Sequence, residues 1–398
     1  GGSVSTQPVA ILGMGMTDMS RRDQSPEAMA HQVIQEALTD AGIEATKLSL
    51  VVASNALGGR LSNQGCIRGQ SWLRKAALGD VPVVNVDNSC AGGTSALHVG
   101  TLTSRAAAGP VLVLGVEKMW TGDRAATLAG IEDGLPADYR ADMHARFRPE
   151  ENPGGSILMG LNDFWARQCM KDRGTTVEQI AAAAVKARYN ASRNPLAQIT
   201  QAVTVEEVLA SPQVAGVLTR LMCSSFTDGA AAVVLGPADG APPEMPRIIG
   251  SMARSGNGQM DYHDRLGETA RAAWEELGLG PADFDLVELH DATSAEEIYA
   301  LESLGLFGAG EAGPATLAGD TAIGGRGLTV NPSGGLVGRG HPLGATGIAQ
   351  VVEIATHLRG RAGRRQVEGA RLGLAVNTGG VIEGDAAYVG IHAVAAGR

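Results

Sequence analysis

The chain has 398 residues, a formal charge of −10 at neutral pH, an apolar fraction of 44% and 55 glycines. That length exceeds one small core and makes about two or three packed units, and the composition excludes disorder and collagen while suiting close helix-on-sheet packing in an α/β protein. The acidic balance argues against general binding to nucleic acid or to a membrane surface, either of which needs a basic patch, and leaves room only for a local basic pocket.

No apolar run approaches the roughly 20 residues of a membrane span, and no charged-then-apolar signal opens the chain. Cys66, Cys90, Cys169 and Cys223 show no CxxC spacing and no Cys/His cluster. They make neither a disulfide framework nor a zinc site, so no metal is expected and a reducing cytoplasm fits best. Gly1-Gly2-Ser3, without an initiator Met, reads as an added leader and is set aside.

The first elements read β then α. Val9 to Gly15 is an apolar strand. Ser25-Pro26-Glu27 opens a helix with a cap, a proline at the first helical position and an acid in the first turn. Met29, Val33, Ile34, Ala37 and Leu38 recur at helical spacing, Gly42 stops the helix, and Leu48 to Ala53 forms the next strand.

Val84 to Leu97 then reads as strand, tight turn and helix, the helix reaching about Ala108. Cys90 falls at the helix start, where unpaired N–H groups and the positive end of the dipole favour a thiolate, and the following glycines let a substrate approach the backbone. A buried, inert cysteine is the competing reading.

From about Met119 to Leu218 the chain changes character. Arg124, Arg140, Arg146, Arg148, Lys171, Arg173, Lys186, Arg188 and Arg193 accumulate there, with helices expected over Gly160 to Lys171 and Thr176 to Arg193. This reads as an inserted lobe whose cations form either a solvated face or a seat for an anionic cofactor. Pro237 to Pro246, rich in Gly, Ala and Pro, is the expected linker.

The second part echoes the first. Ala37 to Ile43 followed by Leu48 to Val51 lines up without a gap against Ala273 to Leu279 and Phe284 to Val287, and Gly229 to Gly236 lines up against Gly384 to Ile391. Two echoes in one order indicate a duplicated half rather than a solenoid.

Phe284 to Leu289 is a strand that delivers His290-Asp291 to its C-terminal end, where α/β active sites collect. Asn331 to Gly347 is dense in glycine before a new helix at Ile348, the pattern of a loop that holds a ligand or a catalytic group; neither GxGxxG nor GxxxxGK[ST] is present. His31, His98, His144, His263, His357 and His392 lack metal spacing, and Cys66, Cys169 and Cys223 read as packed or surface thiols.

Ser89-Cys90-Ala91-Gly92-Gly93, Met222 to Ala232, Gly340-His341-Pro342-Leu343-Gly344-Ala345-Thr346-Gly347 and the duplication together resemble the thiolase superfamily over nearly the whole chain. His290-Asp291 in place of Asn-Glu-Ala-Phe resembles the sterol-carrier-protein type. The resemblance implies a five-layered α/β/α/β/α core from two similar halves, 4–118 completed by about 219–240 and 247–398, with 119–218 as a loop domain over the site.

It further implies that Cys90 carries the acyl group as a thioester, that His341 activates it, and that His290 helps hold the thioester oxygen. A second oxyanion site matches the Cys90 and Gly380 N–H groups beside Asn377. Coenzyme A thioester is the implied substrate, with Arg220, Met159 and Ser333 as candidate contacts and no tightly bound cofactor. A homodimer or tetramer is expected, and a small OB-fold partner subunit is compatible with the resemblance.

One departure stands out. The second cysteine of typical thiolases is Asn377 here, and the cysteine that the sterol-carrier-protein type often carries after His-Asp is Ala292. Asn moves no proton at neutral pH. Three readings follow: 3-ketoacyl-CoA thiolysis or condensation through acyl-Cys90, acylation of a different carbon nucleophile, or a scaffold subunit, the last opposed by the presence of both Cys90 and His341.

Overall fold

The computed structural model describes residues 7–398, so Gly1-Gly2-Ser3 lies outside the described residues. Val9–Met16 is the first strand, β1. The Ser25 hydroxyl caps the helix Pro26–Ala41 by accepting from the Ala28 N–H at 3.1 Å, and Gly42 closes it at φ 66°. The later strands are β2 (Leu50–Ser54), β3 (Val83–Val86), β4 (Val111–Glu117), β5 (Gln213–Ala215), β6 (Leu218–Thr219), β7 (Gly229–Pro237), β8 (Arg247–Ser255), β9 (Leu286–Glu288), β10 (Thr329–Val330), β11 (Leu372–Ile382) and β12 (Asp385–Ala395).

Except for the β5–β6 hairpin, these strands form one sheet in the order β10-β9-β11-β12-β8-β1-β7-β4-β2-β3. The order repeats about its centre: β3-β2-β4-β7-β1 maps onto β10-β9-β11-β12-β8, with parallel pairs at the outer strands and antiparallel pairs inside in both sets. The seam is slight, joining Val9 to Ile248 and Ala10 to Arg247. The internal echoes therefore mark matching helices and strands of two halves.

Five layers result. The helices Gly92–Ser104 and Leu343–Leu358 lie against each other, and each touches strands of both halves; Pro26–Ala41 covers β1 and β7 from outside, and Tyr262–Leu277 covers β8 and β12. In β4, Val111 and Val113 face the central helices while Leu112 and Leu114 face the outer helix. Every residue of β4 is buried, as a strand covered on both faces requires.

The central helices cross at glycines. A Cβ on Gly93 would lie 2.8 Å from the Gly347 nitrogen, and one on Gly347 would lie 2.5 Å from Asn377 Oδ1. The glycines after Cys90 therefore admit the helix of the other half rather than a substrate. Asn331–Gly347 is likewise a buried, packed segment and not an open loop: Gly335–Gly338 makes a helical turn, and the next helix starts at Leu343 rather than Ile348.

Between β4 and β7 run the helices Arg124–Glu132, Arg140–Phe147, Ile157–Arg173, Val177–Ala191 and Val205–Ala210. Thr176 caps the fourth through a reciprocal pair of hydrogen bonds with Gln179. No helix among the described residues is long and apolar enough to cross a membrane.

Gly93→Ala is expected to destabilise the fold by roughly 1–3 kcal/mol through overpacking at this crossing. Gly65→Ala, where an added Cβ meets nothing within 4 Å, serves as the neutral control, and both are read by denaturant titration.

Candidate active site

Cys90 sits in the single turn Ser89–Ala91, just before the central helix of the first half; Ser89 holds a positive φ of 53°. His341 stands just before the central helix of the second half, and His290 follows β9. Crossing the two helices at their first turns thus brings together residues 251 positions apart. Cys90 Sγ and a ring nitrogen of each of His290 and His341 lie within 4.8 Å of one another, and the two rings meet edge to face at 4.9 Å.

The hydrogen bonds fix opposite tautomers in the two imidazoles. Thr346 Oγ1 donates to the Pro342 carbonyl at 3.1 Å, so it accepts from His341 Nδ1–H at 2.6 Å, leaving Nε2 of His341 with its lone pair. Asn377 Nδ2 donates to His290 Nδ1 at 2.9 Å, so the proton of His290 sits on Nε2 as a donor. One ring is a base and the other a hydrogen-bond donor.

Electrostatics keep all three groups neutral at rest. Burial pushes the Cys90 thiol up to about 12, with the Glu117 carboxylate adding to the rise. Burial lowers His290 to about 4 and holds His341 well below the ordinary imidazole value. The expected stabilisation of a thiolate by the helix start is outweighed by desolvation.

Glu117, at the end of β4, ties the two halves together. Its oxygens accept from Asn55 Nδ2 at 2.7 Å and from the N–H groups of Ala56 at 2.9 Å, Leu57 at 3.0 Å and Gly344 at 3.0 Å. Burial nevertheless raises its carboxyl to about 7. An acid closing an otherwise apolar strand was the signal that sequence reading passed over.

The three groups open into a cavity of about 1070 Å³, lined by both the core and the inserted helices. Gly380, φ 71°, drops out of the β11–β12 pairing and lines this cavity beside Ser89 and Cys90. Arg220 and Met159 also line it. Ser333 does not: it is fully buried, with its hydroxyl accepting from the Gly335 N–H and its carbonyl from Asn194. Asn377 lies behind His290 rather than in the cavity wall.

Trp165 and Tyr262, stacked at 4.3 Å, form an aromatic wall, and Glu296 beside them is held by His263 Nε2 at 2.9 Å. Cys223 lines the cavity as well, contrary to the reading as an incidental thiol; its chain pairs with Thr293, and the Ser224 N–H donates to the Ala292 carbonyl.

Residues 9–239 match the thiolase N-terminal domain, and residues 259–390 match the thiolase C-terminal domain-like family. An acetyl-CoA acetyltransferase of Methanothermobacter thermautotrophicus is 39% identical over 94% of this chain and 96% of its own. Sterol carrier protein 2 of Bos taurus is 33% identical over 93% of this chain and 70% of its own length. The benzoylsuccinyl-CoA thiolase subunit BbsB of Thauera aromatica is 31% identical over 90% and 91%. A solved structure, the Ltp2-ChsH2(DUF35) aldolase, shares the fold at a TM-score of 0.78 and 22% identity, covering 98% of both chains. The chain belongs to the thiolase family and is an acyl-CoA acyltransferase.

Proposed function

We propose that Cys90 accepts the acyl group from a coenzyme A thioester and that the enzyme makes or breaks the carbon–carbon bond of a 3-ketoacyl-CoA. The observation that carries this reading is the approach of the sulfur to two imidazoles held in opposite tautomers. In the cleavage direction, Cys90 Sγ attacks the 3-keto carbon as its proton passes to His341 Nε2. The developing oxyanion is held by His290 Nε2–H; when the C2–C3 bond breaks, the proton on His341 returns to C2, releasing the C1–C2 fragment as its coenzyme A thioester (acetyl-CoA for an unbranched substrate) and leaving the shortened acyl group on Cys90. Coenzyme A then attacks acyl-Cys90 through its sulfur, giving its proton to His341 and on to the departing Cys90 sulfur.

His341 thereby does both proton transfers, which accounts for Asn377 standing where a second cysteine is typical. The Cys90 and Gly380 N–H groups are the proposed second oxyanion site. Coenzyme A enters as substrate, and nothing in this reading calls for a tightly bound cofactor.

A second arrangement rests on Cys223. Its thiol lines the same cavity beside Ala292, and burial raises it to about 12, which suits donation of a proton to C2 and not abstraction. Self-association is also proposed: β3 ends the sheet with Val84 44% exposed, an edge open to a second copy.

Intact-protein mass spectrometry after incubation with acyl-CoA thioesters is expected to show one acyl adduct, absent in Cys90→Ala and released by free coenzyme A; no adduct with any thioester rejects the reading. Because thiol and imidazole are both neutral at rest, alkylation of Cys90 by iodoacetamide should climb about tenfold per pH unit from neutral pH to about 10 with no plateau. A plateau near neutrality would mean a preformed thiolate. Asn377→Leu should lower kcat about 10- to 100-fold with little change in KM, by freeing the His290 tautomer. Cys223→Ser leaving kcat intact would assign both proton transfers to His341.

A further inference from the structure

The aromatic wall of the catalytic cavity has a second hollow behind it, of about 480 Å³. Leu161, Trp165, Tyr262 and Val381 line both spaces, so a single layer of side chains separates them. All four are buried, and Trp165 is the largest of them.

This wall stands close to the nucleophile. β11 runs along the catalytic cavity from Thr378 to Val381. A Cβ on Gly379 would lie 2.3 Å from the Ala91 nitrogen, so the strand is pressed against the turn that carries Cys90. Val381, in the wall, is two residues further on, at most about 7 Å along the strand. Burial raises the Tyr262 phenol, and the nearby Cys90 adds to the rise. An acyl group on the sulfur that extends along β11 therefore meets the wall after a short run.

The two stacked rings are held in different ways. Tyr262 opens the helix Tyr262–Leu277, and its hydroxyl shares a hydrogen bond with Thr378, which ties it to β11. Trp165 comes from the inserted helix Ile157–Arg173 and is held by packing: its indole stacks on Tyr262 at 4.3 Å and meets His263 edge-on at 5.4 Å.

Behind the wall the second chamber is apolar. Met143, Phe147, Phe164 and Tyr299 line it, with Phe147 and Phe164 edge to face at 5.7 Å. The charged residues Arg146, Asp172, Asp264 and Glu383 are exposed and mark its mouth. Such a lining suits an aryl ring or an alkyl chain.

We infer that Trp165 determines acyl specificity: its indole stops the acyl group on Cys90 at the wall, and the chamber behind takes the end of an aryl or long alkyl acyl group once the indole is removed. The inference rests on the acyl-Cys90 reading for the identity of the group, not for the place of the wall. A wall of this kind rejects a longer group by overpacking, which a smaller group never meets.

The test compares the rates at which acetyl-CoA and phenylacetyl-CoA acylate Cys90 in the full chain. The wild type should favour acetyl-CoA. Trp165→Ala should shift the ratio of rates toward phenylacetyl-CoA by about tenfold or more, and Trp165→Phe, which keeps an aromatic ring in the wall and serves where the smaller variant fails to fold, should shift it part of the way. Gln168 lines the second chamber and not the catalytic cavity, so Gln168→Trp fills the chamber from behind. Alone it should leave the ratio unchanged, and combined with either Trp165 variant it should cancel the gain.

A wild type that favours phenylacetyl-CoA, an unchanged ratio in the folded Trp165 variants, a gain that survives Gln168→Trp, or a shift from Gln168→Trp alone overturns the inference. If no thioester acylates the wild type, the proposed function fails instead. The wall is then judged from alkylation of Cys90 by iodoacetamide and by N-benzyl-iodoacetamide, whose ratio of rates should respond to the same variants in the same direction.

Discussion

Contact of backbone with backbone between the two central helices is the constraint on which the site depends. Gly93 and Gly347 lack the Cβ that would hold the helices apart, and the first turns of both helices consequently share one place in the molecule. What each chain segment presents just before its helix, a thiol from Cys90 and an imidazole from His341, is then in reach without any long or flexible loop. Groups mounted on rigid elements in this way lose little freedom when a substrate arrives, which is how positioning lowers a barrier.

The same crossing explains the electrical character of the site. The sulfur and both rings sit at the inner end of the cavity, where desolvation disfavours any net charge. Cys90 is pushed up to about 12 and His290 down to about 4, so thiol and imidazole both rest uncharged at neutral pH. Thr346 and Asn377 then matter more than their modest chemistry implies, since each fixes which nitrogen of its imidazole holds the hydrogen. An amide suits this role because it neither takes up nor gives up a proton at neutral pH.

Much of this was legible in the sequence, and the misses have physical reasons. The duplication could be read because matching helices and strands carried the same turn residues at the same spacing, and the sheet order reproduces it in space. Cys90, His290 and His341 could be singled out because each follows a strand or opens a helix, and they do converge. The glycine-rich segments misled, because conformational freedom and tight packing call for the same residue; Gly93 and Gly347 serve packing. Glu117 went unnoticed, and Arg188 and Cys223 were named without a place in the cavity, for a different reason. Whether an acid, a cation or a thiol faces a cavity is set by contacts across the fold, and no local pattern marks it.

The mirrored order of the sheet has a historical consequence. The two central helices occupy equivalent positions in the two halves, so the turn holding Cys90 and the segment holding His341 descend from one ancestral location. In a symmetric pair of identical chains that location would have carried the same side chain twice, facing its own copy. Fusing the copies into one gene released each from matching the other, and allowed one to present a thiol while its twin presents an imidazole.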